Sequence, residues 1–118
     1  MLARRVLLVD DHPDFASSAQ ALLAYAGFDI VGVAVTGEDA LRMCPLLQPE
    51  LLLLDIHLPG ISGVEVAQKL SRTKRPPQII LISSDSDAGA DPDVQAAPVR
   101  GFLFKRDLTC AAIDALLC

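Results

Sequence analysis

Short apolar runs alternate with segments of helical periodicity along the whole chain. The runs are continuously hydrophobic, as buried strands are, and the segments between them repeat apolar residues at helical spacing, as amphipathic helices do. Strands and helices that alternate in this way predict an α/β fold, a parallel sheet with helices on both faces. The predicted strands are residues 6–9, 30–34, 50–55, 78–83 and 101–104.

Capping and breaking residues predict where several helices begin and end. Gly27 follows the first helical segment and favours an end there. Thr36, followed by Asp39, resembles a capping box that opens the second helix, and Pro45 predicts that this helix stops beside it. Asp107 predicts the N-cap of the last helix.

The segment between the fourth and fifth strands is the weak part of this pattern. Residues 84–99 should supply the fourth helix, yet they include Gly89, Pro92 and Pro98 and are mostly small or acidic. Glycine and proline disfavour a helix interior, although proline suits a first turn. We therefore expect a fourth helix that is short or irregular, late-starting or mobile, and that covers residues 92–97.

Composition and charge limit the classes of function. The 118 residues fit one domain, residues 1–118, and a hydrophobic content of 52% is enough for a core. The net charge of −5 argues against direct nucleic-acid contact, and the basic stretch at residues 72–75 is expected to be a solvent-exposed loop.

The apolar runs are too short to span a membrane, and no signal peptide is expected. Three cysteines without metal-site spacing (Cys44, Cys110 and Cys118) fit a reducing compartment, so the expected location is the cytoplasm.

Polar side chains that suit metal and phosphoryl chemistry stand where four of the predicted strands end. The carboxyl ends of parallel strands meet at one edge of a sheet, so these groups are expected to converge. Carboxylate oxygens suit Mg²⁺, a carboxylate can accept a phosphoryl group as an acyl phosphate, and an ammonium group can neutralise the transferring oxygens. The pattern therefore predicts a site for a divalent cation plus a phosphoryl group. The residues are Asp10 and Asp11 after the first strand, Asp55 and Ser83 at the ends of the third and fourth, and Lys105 after the fifth.

With these residues in place, the chain resembles the receiver domain of two-component response regulators over essentially its whole length. The matching segments are VLLVDDHP (residues 6–13), LLLLDIHLPGISG (51–63), IILISS (79–84) and GFLFK (101–105). The DDHP and DIxLPG-x-SG patterns are most similar to receivers of helix-turn-helix (NarL/LuxR-type) regulators. The resemblance implies a doubly wound five-stranded parallel sheet of the flavodoxin-like type, with strand order 2-1-3-4-5.

The resemblance also implies how the domain works. A sensor histidine kinase would donate a phosphoryl group to Asp55. The domain itself would catalyse much of this transfer and of the later dephosphorylation, while serving chiefly as a signalling switch. Asp10, Asp11 and Asp55, with the backbone carbonyl of His57, would hold a Mg²⁺ cofactor, for which Mn²⁺ could substitute.

Further residues match positions that receivers use around the phosphoryl group. Ser83 and Lys105 would contact that group, and Ser83 with Phe102 would form the conformational switch. His57 stands two residues after the acceptor and Asp85 two residues after Ser83. In the resembled family, side chains at these two positions flank the attacking water, so they would tune dephosphorylation.

Two other functions compete with a phospho-accepting receiver. A haloacid-dehalogenase-type phosphatase also uses a strand-end Asp nucleophile, but it expects a second Asp two residues later, where this chain has His57. A degenerate receiver would act only as a phosphorylation-independent interaction module, an alternative that the irregular fourth-helix segment keeps open. Neither GxGxxG nor GxxxxGK[ST] occurs in the chain, which argues against nucleotide binding.

The resemblance finally implies partners. These are the sensor kinase, an output domain or downstream protein, and a second copy of the chain in a phosphorylation-dependent homodimer. Transcription regulation is the general role, without nucleic-acid or membrane contact by this domain itself. The chain stops within an apolar helix face at residues 116–118, which favours the expectation that it belongs to a longer regulator.

Overall fold

The structure, a computed structural model, describes residues 4–117 and contains a five-stranded parallel sheet. Its strands are β1 (Arg5–Val9), β2 (Asp29–Ala34), β3 (Leu51–Asp55), β4 (Gln78–Ser83) and β5 (Gly101–Phe104). Their order is β2-β1-β3-β4-β5 and every neighbouring pair is parallel, which confirms the predicted doubly wound α/β fold. Each predicted strand is present, and only the first residues of three strands differ from the prediction, by one position.

The sheet is covered on both faces by helices, which within residues 4–117 are α1 (Pro13–Tyr25), α2 (Gly37–Leu47), α3 (Gly63–Leu70), α4 (Pro92–Gln95) and α5 (Cys110–Leu117). Two 3₁₀ turns cover Ala88–Ala90 and Lys105–Asp107. α1 and α5 pack on one face, and α2, α3 and α4 pack on the other. Successive strand side chains point to opposite faces, so alternate residues of β1, β3 and β4 enter the two apolar clusters. No helix of the described part of the chain is both long enough and apolar enough to cross a membrane.

β3 is the central strand of the sheet. Its residues are all buried, and its four leucines have no solvent-exposed surface. Burying one leucine side chain is worth about 1.5–3 kcal/mol relative to leaving it exposed. Asp55 is therefore the last residue of a strand whose position is tightly constrained by packing on both faces.

The fourth helix is short, as predicted. Asp91 caps α4 by accepting a hydrogen bond of 2.9 Å from the Asp93 N–H. The helix begins at Pro92, as expected, but ends at Gln95, before the predicted end at residue 97. Pro98 disfavours helical backbone at the residue before it, which limits the helix from this side.

The second helix begins as predicted and ends later than predicted. The Asp39 N–H donates a 3.0 Å hydrogen bond to Thr36 Oγ1, which confirms the predicted cap. The predicted stop at Pro45 is wrong, because α2 continues to Leu47 and ends where Gln48 adopts a left-handed backbone with φ of 47°. A proline removes a helical hydrogen bond and crowds the preceding turn, but Pro45 stands so close to the helix end that only the last turn is affected.

The predicted cap of the last helix is also wrong. Asp107 belongs to the second 3₁₀ turn, and α5 begins at Cys110. Thr109 is the capping residue, since its Oγ1 accepts a 3.0 Å hydrogen bond from the Ala112 N–H. Both aspartate and threonine suit the N-cap position, so residue type alone does not choose between them.

Gly63 allows α3 to begin directly against the end of β3. A Cβ atom at this position would overlap the Asp55 carbonyl oxygen and come within 2.9 Å of Ile56 Cα. The Gly63 N–H donates a 2.9 Å hydrogen bond to the Ile56 carbonyl, and Ser62 caps the helix through the Glu65 N–H at 3.2 Å. These contacts fix the loop that leads from Asp55 into α3.

Candidate functional site

Three polar side chains are buried at the carboxyl edge of the sheet. Among residues 4–117, the buried polar or charged residues are Asp10, Asp55 and Ser83, with exposures of 1%, 2% and 0%. They stand at the ends of β1, β3 and β4, which are neighbours in the sheet. Burying such groups costs free energy unless they are paired. A fold that concentrates its buried polar groups at one edge indicates a functional site there.

The Lys105 ammonium joins two of these buried groups. Its Nζ atom lies 2.7 Å from Asp10 Oδ2 and 3.2 Å from Asp55 Oδ2, and it stands 4.7 Å from the centre of the Phe15 ring. Burial disfavours the charged ammonium, but the contact with Asp10 and the negative charges of both carboxylates outweigh burial and raise the pKa of Lys105. The site therefore contains a fixed positive charge at neutral pH.

The Asp55 carboxylate is held from two sides. The His57 N–H donates a 3.0 Å hydrogen bond to Oδ1, and Lys105 Nζ donates a 3.2 Å hydrogen bond to Oδ2. Burial raises the pKa of Asp55 and outweighs these two contacts, which lower it. The nearby charge of Asp10 raises the same pKa further. Ionised Asp55 is thus disfavoured, and a second cation beside it would relieve that cost.

An acidic pocket surrounds Asp55 and has the composition of a metal site. Asp10, Asp11, His12 and Asp55 each offer one ligand atom, and these atoms lie within 4.8 Å of one another. Asp11 Oδ1 is buried and accepts no hydrogen bond from residues 4–117, although His12 Nδ1 lies 3.2 Å away, so its lone pairs are available to a ligand. Carboxylate oxygens are the ligands that hard cations such as Mg²⁺ prefer. The pocket therefore fits a divalent cation.

His12 is the residue of this pocket that sequence reasoning missed. Its Nδ1 atom lies 3.1 Å from Asp10 Oδ1 and 3.2 Å from Asp11 Oδ1, and Lys105 Nζ stands 3.3 Å away. The signal was present, because His12 directly follows the acidic pair in the DDHP segment. The sequence could not say whether the ring turns toward the carboxylates or away from them.

The two residues predicted to tune dephosphorylation, His57 and Asp85, lie on the loops that follow β3 and β4. Ser83 Oγ accepts a 3.0 Å hydrogen bond from the Asp85 N–H. His57 Nε2 lies 3.4 Å from Asp85 Oδ2, and the two side chains are 61% and 46% exposed. The loops that follow β3 and β4 therefore meet through an exposed pair of side chains.

Phe102 belongs to an apolar cluster rather than to the group of carboxylates. It packs on the face covered by α2, α3 and α4, and its ring meets Phe104 edge-on with centres 4.9 Å apart. It also lies against Gly89, in the segment before α4. In the pairing of β4 with β5, Phe104 rather than Phe102 is the partner of Ser83. Phe102 is the partner of Leu81, two residues before Ser83, and it lies beside the irregular segment.

Comparison with known proteins identifies the family. A family model described as the response regulator receiver domain matches residues 6–113. This chain belongs to the response regulator receiver family. The receiver is 33% identical over 101 residues to response regulator UvrY of Escherichia coli, matching 85% of this chain and 46% of UvrY. It is also 33% identical over 97 residues to the nitrate/nitrite response regulator protein NarL of Escherichia coli, matching 81% of this chain and 44% of NarL.

A solved structure agrees with this assignment. The crystal structure of response regulator protein TrrA from Thermotoga maritima, in complex with Mg²⁺-BeF, matches the receiver with a TM-score of 0.82 at 31% identity. The match covers 97% of this chain and 96% of TrrA. These findings confirm the predicted NarL/LuxR-type receiver with a phospho-accepting role in two-component signalling. The chain spans about half the length of the curated relatives it matches.

The raised pKa of Asp55 predicts that its ionisation lowers stability. A carboxyl pKa that is higher in the folded than in the unfolded state adds stability at acid pH, and this stability is lost as pH rises through the folded value. In metal-free buffer at neutral pH, Asp55→Asn should therefore raise the free energy of unfolding by roughly 1 kcal/mol, a usual size for one substitution. The gain should vanish below the ordinary carboxyl pKa of about 4.

Urea unfolding at both pH values measures this difference. Asp29→Asn is the matched control, because Asp29 is exposed at the start of β2 and its substitution should change little at either pH. A less stable Asp55→Asn variant at neutral pH would contradict the charge argument.

Proposed function

We propose that this receiver accepts a phosphoryl group on Asp55 from a sensor histidine kinase. The observation that supports it is the Lys105 ammonium, which lies within 3.2 Å of the buried Asp55 carboxylate and contacts Asp10 as well. A carboxylate nucleophile beside a fixed ammonium and a further acidic group has the parts that acyl-phosphate formation requires.

Each side chain has a defined part in the proposed transfer. A carboxylate oxygen of Asp55 attacks phosphorus, the bond between phosphorus and the kinase histidine nitrogen breaks, and an acyl phosphate forms. The His57 N–H holds the carboxylate in one orientation, and Lys105 supplies positive charge for the phosphoryl oxygens. The Ser83 hydroxyl accepts a hydrogen bond from the Asp85 N–H, so its own proton remains for a phosphoryl oxygen.

The cofactor proposed for this step is Mg²⁺, with Mn²⁺ as a substitute. Asp10, Asp11 and Asp55, with the His57 backbone carbonyl, would hold it through oxygen atoms. When bound, the ion neutralises charge on the carboxylates and on the phosphoryl oxygens. Two observations support this assignment: Asp11 Oδ1 accepts no hydrogen bond from residues 4–117, and the charge of buried Asp10 disfavours ionisation of buried Asp55.

Acetyl phosphate with Mg²⁺ tests the proposed function directly. Intact-protein mass measurement should find one phosphoryl adduct on the wild type, labile to base as an acyl phosphate is, and none on Asp55→Asn. An unchanged adduct on that variant would refute Asp55 as the acceptor.

The same assay tests the metal. Asp11→Ala and a chelator should each abolish labelling while circular dichroism stays unchanged, whereas Asp14→Ala, an exposed first-turn control on α1, should label normally. Full labelling of Asp11→Ala in the presence of chelator would exclude the metal role.

We further propose that His57 and Asp85 prolong the phosphorylated state. Their side chains lie 3.4 Å apart and join the two loops at the entrance of the site, where they can hinder an attacking water. Both are well exposed, so their contact adds little to stability.

Substitution of either residue should therefore speed dephosphorylation. His57→Ala and Asp85→Ala should shorten the lifetime of the phosphorylated protein, while the free energy of unfolding stays within about 0.5 kcal/mol of the wild type. Decay followed by mass measurement gives the rates, and the double variant should decay no faster than the faster single one. Identical decay in all four proteins would reject the idea.

We also propose that Ser83 and Phe102 form the conformational switch. Movement of the Ser83 hydroxyl toward a phosphoryl group would release the Asp85 N–H and shift the segment that carries Gly89. Phe102 lies against Gly89, so the ring would follow that shift. The short α4 offers little packing to resist it.

Hydrogen exchange with and without beryllofluoride tests this switch. Amides of residues 85–99 should exchange fastest among the internal segments in the unmodified protein, and they should gain most protection with the phosphoryl mimic. Ser83→Ala should reduce that gain. Equal protection over residues 85–105 in both states would place the switch elsewhere or exclude it.

The remaining proposals concern the setting of the receiver. Residues 1–118 form one receiver domain that acts in the cytoplasm, without direct contact to nucleic acid or membrane. It controls an output domain or a downstream protein in transcription regulation, and phosphorylation favours its homodimer. The similarity to UvrY and NarL, each of which continues beyond the matched region, supports an output domain. The position two residues after Asp55 carries His57, which does not favour a phosphatase. Nothing in the site favours a receiver without acceptor chemistry.

A further inference from the structure

We propose that the His12 ring is a ligand of the metal site and that it shifts the preference of the site from Mg²⁺ toward first-row transition ions such as Cu²⁺ and Zn²⁺. The proposal extends the metal site of the proposed function by one nitrogen ligand. It would make such ions competitors of Mg²⁺ at the phosphorylation site.

The distances around His12 match those between ligands of one ion. In a tetrahedral site with bonds of about 2.0–2.1 Å, ligand atoms stand roughly 3.3 Å apart. His12 Nδ1 lies 3.1 Å from Asp10 Oδ1, 3.2 Å from Asp11 Oδ1 and 3.8 Å from Asp55 Oδ2. The nitrogen therefore stands at nearly the required spacing from three carboxylate oxygens, and all four residues offer ligand atoms within 4.8 Å of one another.

The backbone places this ring beside the carboxylates. The His12 N–H donates a 2.8 Å hydrogen bond to Asp10 Oδ1, which fixes the residue beside the buried carboxylate. His12 occupies the N-cap position of α1, yet its side chain makes no capping hydrogen bond. The ring is 60% exposed, so ions can reach it from solvent.

The Nδ1 position is one that a cation can take. Its 3.1 Å contact with Asp10 Oδ1 is a hydrogen bond, and because an ionised carboxylate only accepts, the ring donates when Nδ1 carries the proton. The Lys105 ammonium lies 3.3 Å from Nδ1 and 2.7 Å from Asp10 Oδ2. A metal ion bound to Nδ1 would replace the ring proton, so its binding would release that proton.

The His12 imidazole, as the fourth ligand, decides which metal ions the site prefers. Mg²⁺ prefers oxygen and keeps several waters, so an imidazole adds little to its binding. Imidazole suits Cu²⁺ and Zn²⁺, and affinity for nitrogen and oxygen sites rises along the first row to Cu²⁺. His12 therefore strengthens the binding of the later ions selectively.

Electron paramagnetic resonance with Cu²⁺ as the probe identifies the nitrogen. The chain has two histidines, so His12→Ala and the matched control His57→Ala account for every imidazole. Both rings are similarly exposed, at 60% and 61%, and circular dichroism checks that both variants fold. We expect imidazole nitrogen splitting in the wild type and in His57→Ala, and its loss in His12→Ala. Splitting that survives in His12→Ala, or that disappears in His57→Ala, would overturn the assignment.

Calorimetric titration with Zn²⁺ and with Mg²⁺ tests the selectivity. His12→Ala should lose Zn²⁺ affinity on the order of tenfold or more, the range seen even for groups that only orient a ligand. Its Mg²⁺ affinity should fall much less, and equal losses would overturn the selectivity. Neither titration uses a phosphoryl donor. Labelling of wild-type Asp55 without a nitrogen signal would refute this inference alone, and a nitrogen signal without labelling would refute the proposed function alone.

Discussion

The burial of two carboxylates at the ends of β1 and β3 is the constraint on which the rest of the site depends. Removing an ion from water costs several kcal/mol, so Asp10 and Asp55 require compensating charge. That charge comes from Lys105, which directly follows the edge strand β5. The pairing of β5 with β4 must therefore be correct for the central carboxylates to be tolerated. Removing the Lys105 charge would leave both carboxylates uncompensated, and an uncompensated buried charge typically costs about 3–5 kcal/mol, so the edge of the sheet is coupled to its centre.

A second contact at the same site, between the His57 and Asp85 side chains, has the opposite character. His57 and Asp85 are well exposed, and exposed pairs contribute about 0–1 kcal/mol. The buried pair holds the strands that must keep their places, and the exposed pair joins loops that can separate at little cost. The segment after β4 shares this looseness, since α4 has four residues. The site thus combines strand ends that buried charges hold in place with exposed loops that can move at little cost.

Sequence reasoning predicted the parts of the molecule that local pattern controls. Continuous apolar runs ended by polar residues gave all five strands, and Thr36 with Asp39 gave a correct cap. Where tertiary contacts choose between similar residues, the pattern was insufficient. Thr109 rather than Asp107 caps α5, because the second 3₁₀ turn takes up Asp107.

The site shows the same division. The strand ends bring Asp10, Asp55 and Lys105 together as expected, since parallel strands share one carboxyl edge. His12 was missed because a residue in the turn after a strand can point in several directions, and no periodicity tells which. The sequence also could not predict that Ser83 pairs with Phe104, because this pairing depends on strand register.

The close approach at Gly63 gives the domain a mechanical stop. The start of α3 already touches the Asp55 carbonyl with only a hydrogen in place of a side chain, and packed atoms do not compress. The start of α3 therefore cannot move closer to Asp55. Any displacement of the helix at this end of the domain has to increase its distance from the acceptor strand.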